Sequence, residues 1–124
     1  MPFPGAANWK LGPNITPDNE LLTTISQQRP GVVDAHNDLW FDYGSNLPLY
    51  PEWQKLLKSL DVPVEVIWGS RDNFFTVPGA LAYLRDAPRA EVHILDAGHF
   101  ATLETPDPVA SLVADFARRH LGAL

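Results

Sequence analysis

Two residues of this chain are of the right type, in the right setting, to move protons. Asp72 closes the run Trp68-Gly69-Ser70-Arg71-Asp72, and His99 follows Asp96-Ala97-Gly98 and precedes Phe100. Each lies just past a short apolar stretch that reads as a buried strand. A histidine in such a place can take a proton from a weak nucleophile or from water. A buried carboxylate can hold that histidine in one tautomer and stabilise the imidazolium that forms. The pair supplies two of the three roles of a nucleophile–histidine–acid system. For the third role the sequence offers no candidate: it contains no Gly-x-Ser-x-Gly or Gly-x-Asp-x-Gly turn. None of Ser26, Ser45, Ser59, Ser70 and Ser111 lies between glycines at that spacing.

The elements that must position the pair occupy residues 60–124. Val62-Pro63-Val64-Glu65-Val66-Ile67-Trp68 is a β-branched run ended by Gly69, the pattern of a buried parallel strand. Residues 77–86 read as a helix and Ala90-Glu91-Val92-His93-Ile94-Leu95 as a second strand. Asp107-Pro108 opens a last amphipathic helix, with Val109, Leu112, Val113, Phe116 and Ala117 on one stripe and Asp115, Arg118 and Arg119 away from it. The order strand–helix–strand–helix predicts a parallel pair with a right-handed crossover, an α/β architecture. Ligands of such sheets meet the carboxyl ends of the strands, where Asp72 and His99 both fall. Two strands make a poor parallel sheet alone, and Val64 to Trp68 and Val92 to Leu95 carry more apolar surface than two helices cover. Further strands, supplied by another chain or lost, are therefore expected.

Residues 1–59 have a different character. The first 19 are rich in Pro, Gly and Asn and read as loop. Thr16-Pro17-Asp18 supplies a cap, a first-turn proline and an acid for a helix from Pro17 to Gln28. Val32 to Asn46 reads as a second helix carrying Val33, Leu39, Trp40 and Tyr43. Leu47-Pro48-Leu49-Tyr50-Pro51 interrupts it, and Pro51 begins a third. The chain divides into a loop and helical region, 1–59, and a strand–helix–strand–helix region, 60–124.

Residues 63–72 with Pro78-Gly79-Ala80, then Asp96-Ala97-Gly98-His99-Phe100-Ala101, then the closing helix, resemble the C-terminal part of the α/β-hydrolase superfamily. The resemblance is closest to its epoxide-hydrolase and haloalkane-dehalogenase branch. It implies a partial α/β-hydrolase fold: the last two parallel strands with flanking helices, plus the tail of a helical cap over residues 16–59. It implies Asp72 as the acid and His99 as the base of a triad hydrolysing an ester, an epoxide or a carbon–halogen bond, with no cofactor and no metal. In epoxide hydrolases, cap tyrosines donate hydrogen bonds to the epoxide oxygen. Phe41-Asp42-Tyr43-Gly44-Ser45-Asn46 is loosely similar to such a segment, which makes Tyr43, and less so Tyr50, a substrate-binding candidate. The upstream oxyanion loop and nucleophile turn of that family have no counterpart, so a fragment or half-enzyme is expected.

The remaining residues are weighed more simply. Phe74, and with less support Phe75, Trp40 and Trp53, could line an apolar pocket, although aromatics more often pack in cores. His36 with Asp34 and Asp38 lacks a fourth ligand and reads as a solvated helix face rather than a metal site. His93 falls in a strand. His120 falls in a last helical turn, where the dipole favours a cation. The net charge of −6 and the lack of a basic stripe argue against nucleic acid and anionic membrane as partners. No cysteine occurs, so disulfides, thiolate metal sites and a thiol nucleophile are excluded. The N-terminus has no signal-peptide pattern, and no stretch approaches the roughly 20 apolar residues of a membrane span. A soluble, cytoplasmic protein is expected.

The expected partners are a small apolar substrate and either a second copy or a complementary N-terminal half. The alternative is a non-catalytic remnant of the same fold that works as an interaction or binding module through an exposed strand edge. A self-sufficient small α/β binding domain is a third reading, and it would melt cooperatively as a monomer.

Overall fold

A computed structural model describes residues 17–122, which fall into two units, 63–122 and 17–62. Of the expected loop over residues 1–19, residues 1–16, with the cap at Thr16, lie outside the described residues, and residues 17–19 are helical instead.

In the unit 63–122, β1 (Glu65–Gly69) and β2 (Glu91–Leu95) form a two-stranded parallel sheet in which Glu65 pairs with Glu91 and Gly69 with Leu95. The first strand begins later than its apolar run. Pro63 has no N–H to contribute to a ladder, and pairing opens with the Glu91 amide donating to the Val64 carbonyl at 3.0 Å. Between the strands runs α4 (Val77–Asp86), with Pro78 in its first turn, where a missing N–H costs nothing. It lies against β1 and buries Ala80 completely.

After β2 the chain forms a single turn, α5 (Ala101–Glu104), and then α6 (Pro106–Leu121). The turn was not anticipated, and α6 starts one residue before the expected Asp107. Thr105 joins the two: its amide and hydroxyl both donate to the Ala101 carbonyl, at 2.9 and 3.0 Å. On α6, Val109, Leu112, Phe116 and Ala117 are half-buried as the stripe predicts. Val113 stays half exposed, because no neighbour among the described residues covers it.

The far end of α6 is tied to the start of β2. Arg119 donates twice to Glu91, Nη1 to Oε1 at 2.6 Å and Nη2 to Oε2 at 2.7 Å, and His120 Nε2 lies 3.2 Å from the same Oε1. Hydrogen bonds from Arg119 and then His120 hold the Glu91 carboxyl down to about 2. His120 thus has a carboxylate partner as well as a place near the helix C-terminus.

The unit 17–62 is helical: α1 (Pro17–Gln27), α2 (Val32–Tyr43), a 3₁₀ segment (Gly44–Leu49) and α3 (Tyr50–Ser59). Gly31 enters α2 in the left-handed region, φ 77°, which favours glycine. The expected break around Leu47–Pro51 is instead a tightened helical stretch, and α2 stops at Tyr43 rather than Asn46. Proline's fixed φ near −65° falls within the 3₁₀ range, so Pro48 is accommodated without leaving helical geometry.

Little apolar surface is covered. Among the described residues only Val66, Ala80 and Ala97 are buried hydrophobics, while Leu81, Leu84, Ile94, Phe100 and Leu103 are exposed. No helix among them is long and apolar enough to cross a membrane.

Candidate active site

The site is built where the two strands end. Beyond Gly69 and Leu95 the segments stay zipped by backbone bonds. The Ser70 amide donates to the Leu95 carbonyl at 2.8 Å, and the Arg71 amide to the Ala97 carbonyl at 2.9 Å. Gly69 is needed for this approach: a Cβ there would stand 2.2 Å from the Gly98 carbonyl oxygen and 2.5 Å from that of Ala97. The glycine that ends β1 thus lets the loop bearing His99 lie directly against the loop bearing Asp72.

Asp72 divides its carboxylate between two tasks. Its Oδ1 accepts the backbone N–H groups of Phe74, at 2.8 Å, and Phe75, at 3.0 Å, closing a turn on itself. Its Oδ2 lies 3.0 Å from His99 Nδ1. The side chain is only 6% exposed, against 29% for His99. Burial by itself raises the carboxyl's pKa. The hydrogen bonds from the Phe75 amide, from His99 and from the Phe74 amide favour the carboxylate more strongly and leave the group below its ordinary value.

The turn is fastened on its other side by Trp68, whose indole N–H donates to the Phe75 carbonyl. Phe75 is therefore gripped through its amide by Asp72 and through its carbonyl by Trp68. Three aromatic rings stand around the imidazole: Phe74 at 5.2 Å, Phe75 at 5.5 Å and Phe100 at 5.2 Å between ring centres. Phe74, a pocket candidate from the sequence, is one of them and is exposed. Phe100 was not singled out in the sequence, although its place beside His99 was the available signal.

A second layer on the loops comes from Arg71. Its Nη1 lies 3.0 Å from Asp96 Oδ1, its Nη2 donates to the Asp96 carbonyl at 3.0 Å, and Nη2 lies 3.7 Å from Glu104 Oε2. Arg71 and Glu104 carried no sequence signal, since charged loop residues usually face solvent. Glu104 is nonetheless buried.

Tyr43 and Tyr50 belong to the helical unit. Their hydroxyls are 3.2 Å apart, and the hydrogen bond shared with Tyr43 raises the Tyr50 pKa. Trp40 packs edge-on near Tyr43 and Trp53 near Tyr50. Among the described residues no group of three or more His, Asp or Glu side chains converges as a metal site would require. His36 is half-buried on α2. His93 lies 3.5 Å from Glu65, on the sheet and away from the loops.

Chemically, the arrangement is a carboxylate–imidazole pair. With Nδ1–H donating to Asp72, Nε2 is the basic nitrogen, and a proton accepted there creates an imidazolium that Asp72 stabilises. The surrounding rings, all three exposed, give the imidazole an apolar border.

Relatives agree with a hydrolytic setting. The chain is 47% identical over 78 residues to a Saccharomyces cerevisiae protein named uncharacterized hydrolase YNR064C, covering 63% of this chain and 27% of that protein. It is 31% identical over 94 residues to human monoacylglycerol lipase ABHD6, covering 69% of this chain and 28% of the lipase. It is 29% identical over 68 residues to 2-hydroxy-6-oxononadienedioate/2-hydroxy-6-oxononatrienedioate hydrolase 2 of Pseudomonas putida, covering 54% of this chain and 24% of that enzyme. The chain thus spans about a quarter of the length of these curated relatives. No family model matches the chain, and no solved structure matches it. Homologues so named indicate a hydrolase family of the α/β-hydrolase type.

Proposed function

We propose that this chain carries the acid and the base of a nucleophile–histidine–acid hydrolase of the α/β-hydrolase type, with Asp72 as acid and His99 as base. The observation that carries the reading is the 3.0 Å contact between His99 Nδ1 and the buried Asp72 Oδ2, placed past the carboxyl ends of two parallel strands. The nucleophile belongs to a polypeptide segment outside this sequence, a complementary N-terminal half.

In the ester version, His99 Nε2 takes the proton of a nucleophilic hydroxyl as its oxygen attacks the carbonyl carbon. It returns that proton to the departing alkoxide, then takes one from water as the water oxygen attacks the acyl carbon, and gives it to the nucleophile's oxygen as that bond breaks and the acid leaves. With a carboxylate nucleophile the first step opens an epoxide or expels a halide with no proton to remove. His99 then acts on the water that cleaves the resulting ester. The likeness to proteins named monoacylglycerol lipase makes a carboxylic ester the first substrate class to examine. The sequence resemblance to the epoxide-hydrolase and haloalkane-dehalogenase branch makes epoxide and haloalkane the next. Phe74, Phe75 and Phe100 suit an apolar substrate.

The exposed large hydrophobics and the small covered core favour a second reading, a non-catalytic module that binds a partner through the sheet. The chain and its His99→Ala variant, each combined with a complementary N-terminal half that carries a Gly-x-Ser-x-Gly or Gly-x-Asp-x-Gly turn, would be assayed on p-nitrophenyl butyrate, styrene oxide and a chloroalkane. Hydrolysis that disappears in the variant supports the catalytic reading. Equal rates for the two proteins would favour the module.

A further inference from the structure

We infer that Arg71 is a positioning residue for the histidine: its guanidinium holds the loop that carries His99 at both ends, and so sets the approach of the ring to Asp72. This deepens the proposed function and rests on it.

The geometry is a bracket. His99 lies between Asp96 and Glu104 in sequence, and Arg71, the neighbour of Asp72, reaches both. It takes Asp96 twice, through the side chain and the main-chain carbonyl, each at 3.0 Å, and stands 3.7 Å from Glu104. Glu104 in turn lies beneath the loop, with its Oε1 only 2.7 Å from where a Cβ on Gly98 would stand. One residue of the acid loop therefore touches the histidine loop before and after the ring, while the next residue takes the ring itself.

The ion pairs alone would not argue for a role. Asp96 is 86% exposed, and exposed pairs add little to stability. What a fork of fixed N–H groups adds is geometry, because it binds a carboxylate and a carbonyl at once in one plane. Lysine, a single point charge, cannot reproduce that. The near-complete burial of Glu104, 3% exposed, places the other end of the bracket inside the unit rather than in solvent.

The test reads the ring directly and needs no turnover. With ¹⁵N-histidine in the full chain, the Nδ1–H proton of His99 is followed by NMR together with its exchange with water, and Asp72→Asn identifies the signal by abolishing it. Arg71→Gln is expected to speed that exchange roughly tenfold, as for loss of one or two hydrogen bonds that hold a local segment closed. Arg71→Lys should restore part of the protection, and Arg118→Gln, matched in charge, none of the loss. Asp96→Asn, at an exposed position, should give an intermediate effect and keeps the test available if Arg71→Gln does not fold. A protected proton in the parent that is unchanged in Arg71→Gln and Asp96→Asn, even with a lowered Tm, overturns the positioning role and leaves the pair standing. No protected Nδ1–H in the parent removes the pair itself, and with it both readings.

Discussion

Asp72 meets His99 with one carboxylate oxygen and its own turn with the other: Oδ2 is 3.0 Å from the ring nitrogen, and Oδ1 takes the amides of Phe74 and Phe75. The same side chain that meets the His99 ring also builds the loop on which it rides. An amide in its place separates the two tasks.

Asp72→Asn is expected to keep the turn, since the amide oxygen still accepts from Phe74 and Phe75. Its NH₂ would then face Nδ1 and draw the ring into the opposite tautomer. Far-UV circular dichroism should be unchanged while the Nδ1–H signal vanishes. In a complete enzyme, the matching substitution in a serine–histidine–aspartate triad lowers kcat by about 10⁴. A variant that keeps a protonated Nδ1 would contradict this account of the pair.

The depressed carboxyl of Asp72 also makes a statement about pH. Its folded-state pKa lies below the ordinary 3.8. The stability it contributes is therefore complete above the unfolded value and is lost as pH falls through the lower folded value. Urea unfolding of the parent and Asp72→Ala should differ at neutral pH, and the difference should shrink as pH falls past the ordinary carboxyl value of 3.8 and through the lower folded one, where the unfolded and then the folded carboxyl take up protons. A difference independent of pH would mean that the carboxylate's charge is not what stabilises the turn.

The parts of this design that could be read from the sequence are those with a period or a turn chemistry behind them. The β-branched run before Gly69 and the apolar run before Asp96 mark both strands, starting three residues ahead of Glu65–Gly69 at Val62 and one ahead of Glu91–Leu95 at Ala90. The approach of Asp72 to His99 follows once both loops leave the same end of a parallel pair. Arg71 and Glu104 were not legible, because their partners are carbonyls and charged groups distant in sequence, nor was Trp68, whose indole bonds a loop carbonyl seven residues on, and neither periodicity nor propensity encodes such contacts. Pro48 misled for a related reason: proline forbids an α-helix interior but not the 3₁₀ turn that the chain adopts over Gly44–Leu49.

Gly69 and Gly98 should respond differently to a single added methyl. A Cβ at Gly69 would meet two carbonyl oxygens and a carbonyl carbon, all backbone, at 2.2 to 2.9 Å. The loop bearing His99 must then move as a whole. A Cβ at Gly98 would meet the end of the Glu104 side chain at 2.7 Å, which can turn aside. Gly69→Ala should therefore cost about 1–3 kcal/mol or more, as overpacking does, and weaken the Nδ1–H signal of His99, with a smaller loss for Gly98→Ala. Chemical denaturation with the ring-proton spectrum would check both. Equal effects would show that the close approach at Gly69 is not what seats the histidine loop.

Glu65 and His93 pose the opposite problem, a polar pair whose removal should help. Glu65 Oε1 and His93 Nε2 are both buried, lie 3.5 Å apart and make no hydrogen bond to each other. Each has no aligned hydrogen-bond partner among the described residues. Removing one leaves the other still buried and now without its neighbour, which costs about 1–3 kcal/mol for a polar group and more for a charged one. Removing both takes away the desolvation penalty on each side, and apolar replacement of such pairs is often neutral or stabilising. His93→Leu and Glu65→Leu should each destabilise at neutral pH, whereas the double variant should unfold at a denaturant concentration equal to or above the parent's. The coupling between the two sites, read from a double-mutant cycle, should be of the order of 1 kcal/mol or larger. Additive losses would show that the two side chains are stabilised separately and that the sheet gains from keeping them.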